Sequence, residues 1–113
     1  MRKWSYLKPD THLGDQVFQK IMVYENTEGV WVFLYDTKDA LFCTEDRFYE
    51  NREDALEDWK DNIDEEGWHE IADPLPDCQH DCILPIRVKG RDKGAPEWGQ
   101  YEILKNGIWE DLS

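Results

Sequence analysis

Two cysteines flank a histidine in the segment PLPDCQHDCILP, residues 74–85. Thiolate and imidazole groups are ligands that Zn²⁺ prefers, which makes Cys78, His80 and Cys82 the candidate metal ligands of this chain. Structural zinc sites usually combine two separate pairs of ligands, and outside this segment the sequence has a single cysteine, Cys43. The spacing therefore predicts no metal. A zinc-binding protein or small enzyme centred on these three side chains stands as the alternative.

The same segment has the composition of a stiff connector. Each of its prolines fixes φ near about −65° and removes one backbone donor. The thiols are spaced Cys-x₃-Cys rather than Cys-x-x-Cys, and no predicted helix follows that would lower the pKa of a thiol. We therefore predict a connector between two elements of a sheet, in which Cys78 packs in a bend and Cys82 leads into a buried strand.

No other part of the sequence combines a recognisable nucleophile with a base, or forms a phosphate loop. The segment GRDKG (90–94) is too short for a phosphate loop and precedes no helix pattern. The acidic segment DNIDEEGWHE (61–70) lacks the alternating order of a calcium-binding loop. The sequence therefore predicts a non-catalytic protein that uses no cofactor.

Net charge is the strongest global signal of the sequence. The chain carries a net charge of −13, and residues 25–85 hold nineteen acidic residues against four basic ones, a net of −15. Such a field repels nucleic acids and anionic membrane surfaces, because both are polyanions. It favours a basic protein as the partner, with no direct binding of nucleic acid or membrane. The alternative is that the acidity only keeps a small protein in solution.

Length and composition predict one globular domain, residues 1–113. The apolar fraction is 40%, with six Trp, five Tyr and four Phe, whereas disordered chains are poor in aromatic residues. The first residues, MRKWSYLKPD, lack the apolar region of a signal peptide, and no run approaches the roughly 20 apolar residues of a membrane span. Three cysteines, an odd number, are most simply reduced thiols of a cytoplasmic protein.

Apolar and alternating runs in the first third of the chain predict strands. KWSYL (3–7), VFQKIMVY (17–24) and VWVFLY (30–35) are strand candidates, and NTEG between the second and third predicts a hairpin. Residues 30–35 are apolar at every position, which is typical of a strand covered on both faces. ALFC (40–43) is expected to add a further strand to this meander.

One helix is expected over residues 52–66, capped by Asn51 and stopped by Gly67. After the proline segment, IRVKG (86–90) predicts a strand, and the Asn-Gly pair at 106–107 predicts a hairpin between two more. The predicted fold is therefore α+β: a largely antiparallel sheet of about five or six strands with one amphipathic helix packed on one face.

The outer positions of the predicted helix are acidic. The candidate partner-binding residues are Glu53, Asp54, Glu57, Asp58, Asp61 and Glu65. Uncompensated carboxylates at i and i+4 lower helix stability, so a chain that keeps them is expected to use their field. Two functions follow: capture of a basic protein surface, or mimicry of a nucleic-acid backbone. Small size, acidity and tryptophan excess resemble bacterial immunity proteins in general character, which makes an inhibitor or an immunity or antitoxin-like protein the leading hypothesis.

The expected helix can cover only one face of the sheet. Residues 30–35 place three aromatic side chains on one face and three aliphatic ones on the other. The uncovered face must meet the chain's own loops (8–16, 72–85 or 91–99), a partner or a second copy. A weak homodimer, strengthened as salt screens the repulsion between two acidic chains, is therefore a further prediction.

Overall fold

The computed structural model describes residues 1–112, which divide into two compact units. The first unit is residues 1–73, and the second begins at Pro74. The described chain contains one α-helix, a five-stranded antiparallel sheet and two smaller sheets. This arrangement confirms the predicted α+β class with a main antiparallel sheet.

The first unit contains seven strands and the helix. The strands are β1 (Arg2–Tyr6), β2 (His12–Leu13), β3 (Gln16–Val17), β4 (Lys20–Asn26), β5 (Gly29–Tyr35), β6 (Glu45–Tyr49) and β7 (His69–Glu70). The helix, α1, is Arg52–Trp59, and a 3₁₀ turn follows at Lys60–Asn62. The main sheet has the order β6-β5-β4-β1-β7, and β2 and β3 form a separate hairpin.

One face of the main sheet packs against α1. Alternate residues of β4 and β5 supply its apolar surface, and the core that they form with the helix comprises Leu7, Phe18, Ile21, Val23, Val30, Val32, Leu34, Ala55 and Trp59. The period of two along each strand places the core residues of β4 and β5 on the same side of the sheet. The hairpin predicted at NTEG joins β4 to β5, as the local sequence indicated.

The predicted end of the helix at residue 66 is wrong, because α1 ends at Trp59 and the 3₁₀ turn at Asn62. Ile63 turns to extended backbone and forms an antiparallel bridge with Leu7. The carbonyl of Asn62 accepts a 2.8 Å hydrogen bond from the Lys8 amide. Pairing with the residues that follow β1 therefore replaces the helical hydrogen bonds that residues 63–66 would have made.

The prediction of a strand at residues 40–43 is also wrong. Residues 36–44 form a loop, and the strand that pairs with β5 is β6. The ammonium of Lys20 explains the loop, because it donates hydrogen bonds to the carbonyls of Lys38 (2.9 Å) and Ala40 (3.1 Å). These carbonyls therefore serve a cation on β4 instead of a strand ladder.

The second face of the main sheet, opposite α1, carries an aromatic-rich set of side chains. These are Trp4, Tyr6, Met22, Tyr24, Trp31, Phe33 and Tyr35. In the single chain Met22 and Tyr35 are 0% exposed and Phe33 is 6% exposed. Part of the cover comes from the loop 36–44, since Lys38 Nζ lies 5.0 Å from the Tyr6 ring centroid. Because Met22, Phe33 and Tyr35 are buried, much of the surface on which the predicted homodimer depends is already covered, and the oligomeric state stays a prediction.

The second unit is built on a three-stranded antiparallel sheet. Its strands are β8 (Ile86–Val88), β9 (Tyr101–Lys105) and β10 (Ile108–Leu112), in the order β10-β9-β8. Asn106 and Gly107 form the turn of the β9–β10 hairpin, with φ of 51° and 77°. These left-handed angles are the ones that an Asn-Gly hairpin turn requires. The described part of the chain has no helix with the length and apolar character needed to cross a membrane.

Candidate functional site

The acidic helix α1 is fixed at its N-terminus by a side-chain cap. Asn51 Oδ1 accepts a 2.9 Å hydrogen bond from the Asp54 amide, and Asn51 Nδ2 donates one of 3.2 Å to Asp54 Oδ2. Ala55 and Trp59 are buried against the sheet and set the inward face of the helix. Since these two positions face inward, the acidic positions on the rest of the helix surface face solvent. All six predicted partner-binding residues are exposed.

The structure places these six acids in two groups. Glu53, Asp54, Glu57 and Asp58 lie on α1, and Asp61 follows in the 3₁₀ turn. Glu65 lies outside the helix, at an open groove of about 700 Å³ that Leu7 and Phe18 also line. We therefore treat the α1 carboxylates and Asp61 as the candidate site, and Glu65 as belonging to the groove.

Charge is concentrated in the first unit. Residues 1–73 contain nineteen acidic and eight basic residues, a net of −11, while residues 74–113 contribute only −2. In the second unit Arg87 lies against acids of its own unit, with its Nε 2.7 Å from Glu102 Oε1. Its guanidinium also lies 3.7 Å from the ring centroid of Trp109. The strongest negative field therefore belongs to the unit that contains α1.

Few cations offset the carboxylates of α1. Lys60 Nζ lies 2.9 Å from Glu57 Oε1, and this hydrogen bond, together with the charge of Glu57, raises the pKa of Lys60. Arg52 instead reaches Glu25 on β4, at 2.6 Å, and forms no salt bridge with an acid of α1. Within residues 1–112, Glu53 and Asp61 take part in no salt bridge.

The strand β6 and the helix α1 are joined by hydrogen bonds. Tyr49 donates 2.8 Å to Asp58 Oδ2, and Trp59 Nε1 donates 3.3 Å to the Tyr49 hydroxyl. Burial, and secondly the hydrogen bond to Asp58, raise the pKa of Tyr49. Because the two elements are tied in this way, the acids of the helix are held at a fixed position beside the edge of the sheet.

Phe48 on β6 is a surface residue that the sequence analysis missed. Its side chain is 53% exposed, and its ring meets Trp31 edge to face with centroids 4.9 Å apart. The segment EDRFYE (45–50) is mostly charged and therefore lacks the apolar pattern from which a strand is predicted. The available signal was the pair Phe48-Tyr49, two residues of high β propensity directly before the helix cap Asn51.

The three candidate metal ligands differ in their exposure to solvent. Cys78 and Cys82 are buried, whereas His80 is exposed. Cys78 forms an antiparallel bridge with Arg87, and the neighbouring Gln79 amide donates a 2.7 Å hydrogen bond to the carbonyl of Ile86. No group of three or more His, Cys, Asp or Glu side chains suited to a metal occurs within the 112 described residues. The segment runs beside β8 as a connector, and the zinc alternative gains no support.

Comparison with protein-family models, with curated proteins and with solved structures found no significant match to this chain.

Proposed function

We propose that this chain is a non-catalytic acidic binding protein that captures a basic protein surface, in the manner of an inhibitor or an immunity or antitoxin-like protein. The observation that carries the proposal is the exposed row of carboxylates on α1, held by the Asn51 cap and the Tyr49–Asp58 hydrogen bond. A fixed field of one sign raises the rate at which an oppositely charged partner associates.

The distribution of charge favours this proposal over acidity for solubility alone. Two like-charged pairs, Glu53 with Glu57 and Asp54 with Asp58, are spaced i and i+4 on α1. Such pairs each destabilise a helix by about 0.2–0.5 kcal/mol. Charges that served only solubility could be spread over both units, whereas here a net of −11 lies in residues 1–73. The same field disfavours direct binding to nucleic acid.

The proposal places the protein in the cytoplasm. Cys43, Cys78 and Cys82 form no disulfide. Reduced thiols persist in a reducing compartment, while secreted domains of this size usually rely on disulfides.

A charge-reversal variant of the helix tests the proposal. It carries Glu53→Lys, Glu57→Lys and Asp61→Lys, and the change brings the net charge from −13 to −7. All three residues are exposed, so the substitutions remove the field of the helix without opening the core.

A matched variant separates the position of the charge from its amount. It carries Asp15→Lys, Asp36→Lys and Glu70→Lys, three exposed acids of the same unit that lie outside β6 and α1, and it also has a net charge of −7. Immobilised wild-type protein and the two variants are used to capture proteins from the native host. The recovered proteins are then quantified by mass spectrometry.

The expected result is one basic protein that wild type and the matched variant retain, and that the helix variant loses by at least about tenfold. Equal recovery on both variants would show that only net charge matters. Absence of any basic protein from the wild-type capture would contradict the proposal.

A further inference from the structure

The outer edge of β6 is open. This strand is the last one of the main sheet, and within the described chain it pairs with β5 alone. Asp46, Arg47 and Phe48 are all exposed. A terminal strand presents a row of unpaired backbone N–H and C=O groups, which is a template for pairing with another strand.

Phe48 is held in position at this edge. Its ring meets Trp31 on one side, with the centroids 4.9 Å apart. The ring also lies against Gly29, where φ is 149° and where a Cβ atom would overlap it. The side chain is therefore both half exposed and restrained. An exposed aromatic group that is already ordered loses little entropy on binding, which is the property of an interface anchor.

Charge at the edge selects the kind of strand that can pair there. Residues 45–58 contain seven acidic and two basic residues, a net of −5. Both basic residues already have acidic partners, Arg47 in Glu45 (3.4 Å) and Arg52 in Glu25 (2.6 Å). Two copies of this negatively charged segment would repel each other, whereas a basic strand would meet complementary charge.

The side chains of β6 alternate between the two faces of the sheet. Phe48 and Asp46 lie opposite Trp31 and Phe33 on the second face, while Tyr49 lies on the face of α1. A strand added beside β6 would show the same alternation. Its side chains on one face would meet Phe48, and those on the other face would point toward the carboxylates of α1.

We infer that the partner binds through an extended basic segment, which pairs with β6 as a sixth strand and alternates apolar with basic side chains. Its apolar positions pack on Phe48, and its Lys or Arg side chains reach the acids of α1. This inference rests on the proposed function and adds the backbone pairing and the anchor to it.

Two synthetic peptides distinguish backbone pairing with β6 from attraction by charge alone. The first is an eight-residue peptide of alternating Lys and Val with blocked ends. The second is the same peptide with every backbone nitrogen methylated, which keeps the charge and removes the donors of a strand ladder. Each is titrated at low salt into ¹⁵N-labelled full-length protein, and the amide resonances of residues 45–49 and of α1 are followed.

Three variants accompany the wild-type protein. Phe48→Ser removes the anchor, and Gly29→Ala displaces it while also straining the backbone at φ 149°. Trp98→Ser is the matched control, since Trp98 is an exposed aromatic side chain (71%) of the second unit. Phe48→Ser and Gly29→Ala should both leave the exposed acids of α1 unchanged.

We expect the unmodified peptide to shift the amides of β6 and to bind at least tenfold more tightly than the methylated one. Phe48→Ser and Gly29→Ala should each weaken binding of the unmodified peptide by at least fivefold, and Trp98→Ser should weaken it by less than twofold. Hydrogen exchange at residues 45–49 should slow when the unmodified peptide is bound.

Equal affinity of the two peptides, with shifts confined to α1, would overturn the strand pairing and leave charge capture intact. Shifts of the β6 amides with protein concentration alone would show that a second copy occupies the edge, which also overturns the inference. Failure of both peptides to bind at low salt would overturn the pairing and the charge capture together.

Discussion

The hydroxyl of Tyr49 donates a 2.8 Å hydrogen bond to Asp58 Oδ2 and accepts one of 3.3 Å from Trp59 Nε1. Tyr49 belongs to the terminal strand β6, and its two partners belong to the last turn of α1. One phenol therefore links the open edge of the sheet to the acidic helix. Both parts of the proposed binding surface depend on it for their relative position.

Tyr49→Phe removes this link and keeps the ring. Because Trp59 is buried, its indole N–H loses a partner, and we expect the free energy of unfolding to fall by about 1–2 kcal/mol. Urea denaturation followed by tryptophan fluorescence measures the change. An unchanged midpoint for Tyr49→Phe would show that the hydrogen bonds contribute nothing.

The stabilising effect of Tyr49 should also depend on pH. Burial and the hydrogen bond to Asp58 raise the pKa of Tyr49 above its usual 10.0, so the folded state holds the phenolic proton more tightly than the unfolded state. This contribution is complete below pH 10.0 and is lost as pH rises through the higher folded pKa. The difference in stability between wild type and Tyr49→Phe should therefore narrow in that alkaline window, and a constant difference would contradict the assignment.

Asn51→Ala should destabilise the protein by about 1 kcal/mol, because it removes the acceptor for the Asp54 amide at the start of α1. Asn51→Ser, which keeps a capping oxygen, should recover most of the loss. Thermal denaturation of both variants gives the comparison. Equal melting temperatures for the Ala and Ser variants would show that the cap does not hold the helix.

Lys20→Met tests whether the ammonium of Lys20 holds the loop 36–44 in place. The buried ammonium (8% exposed) binds the carbonyls of Lys38 and Ala40, yet burial also lowers the pKa of Lys20, so the cost of burying its charge opposes the gain. We expect little change in global stability but at least tenfold faster hydrogen exchange at Ala40 and Thr44. Lys8→Met, which alters an exposed lysine of the same unit, should leave those amides unchanged. Unaltered exchange in Lys20→Met would mean that the loop does not need the ammonium.

Burial of much of the second face leads us to expect a monomer. Met22 and Tyr35 are fully buried in the single chain, so a second copy could contact only the side chains of this face that stay partly exposed, such as Trp31 and Phe48. Sedimentation equilibrium at low and high salt should give the mass of one chain, 13.5 kDa, in both buffers. A dimer that strengthens with salt would restore the original prediction of self-association through an apolar surface.

Local patterns in the sequence were enough to predict the elements whose hydrogen bonds are local. The hairpin at NTEG, the Asn-Gly turn at 106–107 and the cap at Asn51 all depend on neighbours within a few residues. The end of α1 depends instead on Ile63 meeting Leu7, far away in the sequence. Because no local pattern encodes that bridge, the helix was predicted too long.

The candidate site likewise combines features that the local sequence predicts with features that depend on distant parts of the chain. Exposure of the acids on α1 follows from the period of a helix whose Ala55 and Trp59 face the core, so the sequence indicated it. The role of Phe48 follows from the position of β6 at the end of the sheet, which the pairing of five strands decides. The burial of Cys78 and Cys82 likewise depends on the fold of the second unit, whereas His80 between them in the sequence stays exposed.

The most direct test of charge capture by α1 is the association rate of the captured basic protein, measured by stopped flow across a range of ionic strength. Wild type and the variant with Asp15, Asp36 and Glu70 reversed should associate fast at low salt and slow steeply as salt is added. The variant with Glu53, Glu57 and Asp61 reversed should associate at least about tenfold more slowly at low salt, with a nearly flat salt dependence. Identical rates and salt slopes for the two reversed variants, which share a net charge of −7, would contradict a binding role for the helix.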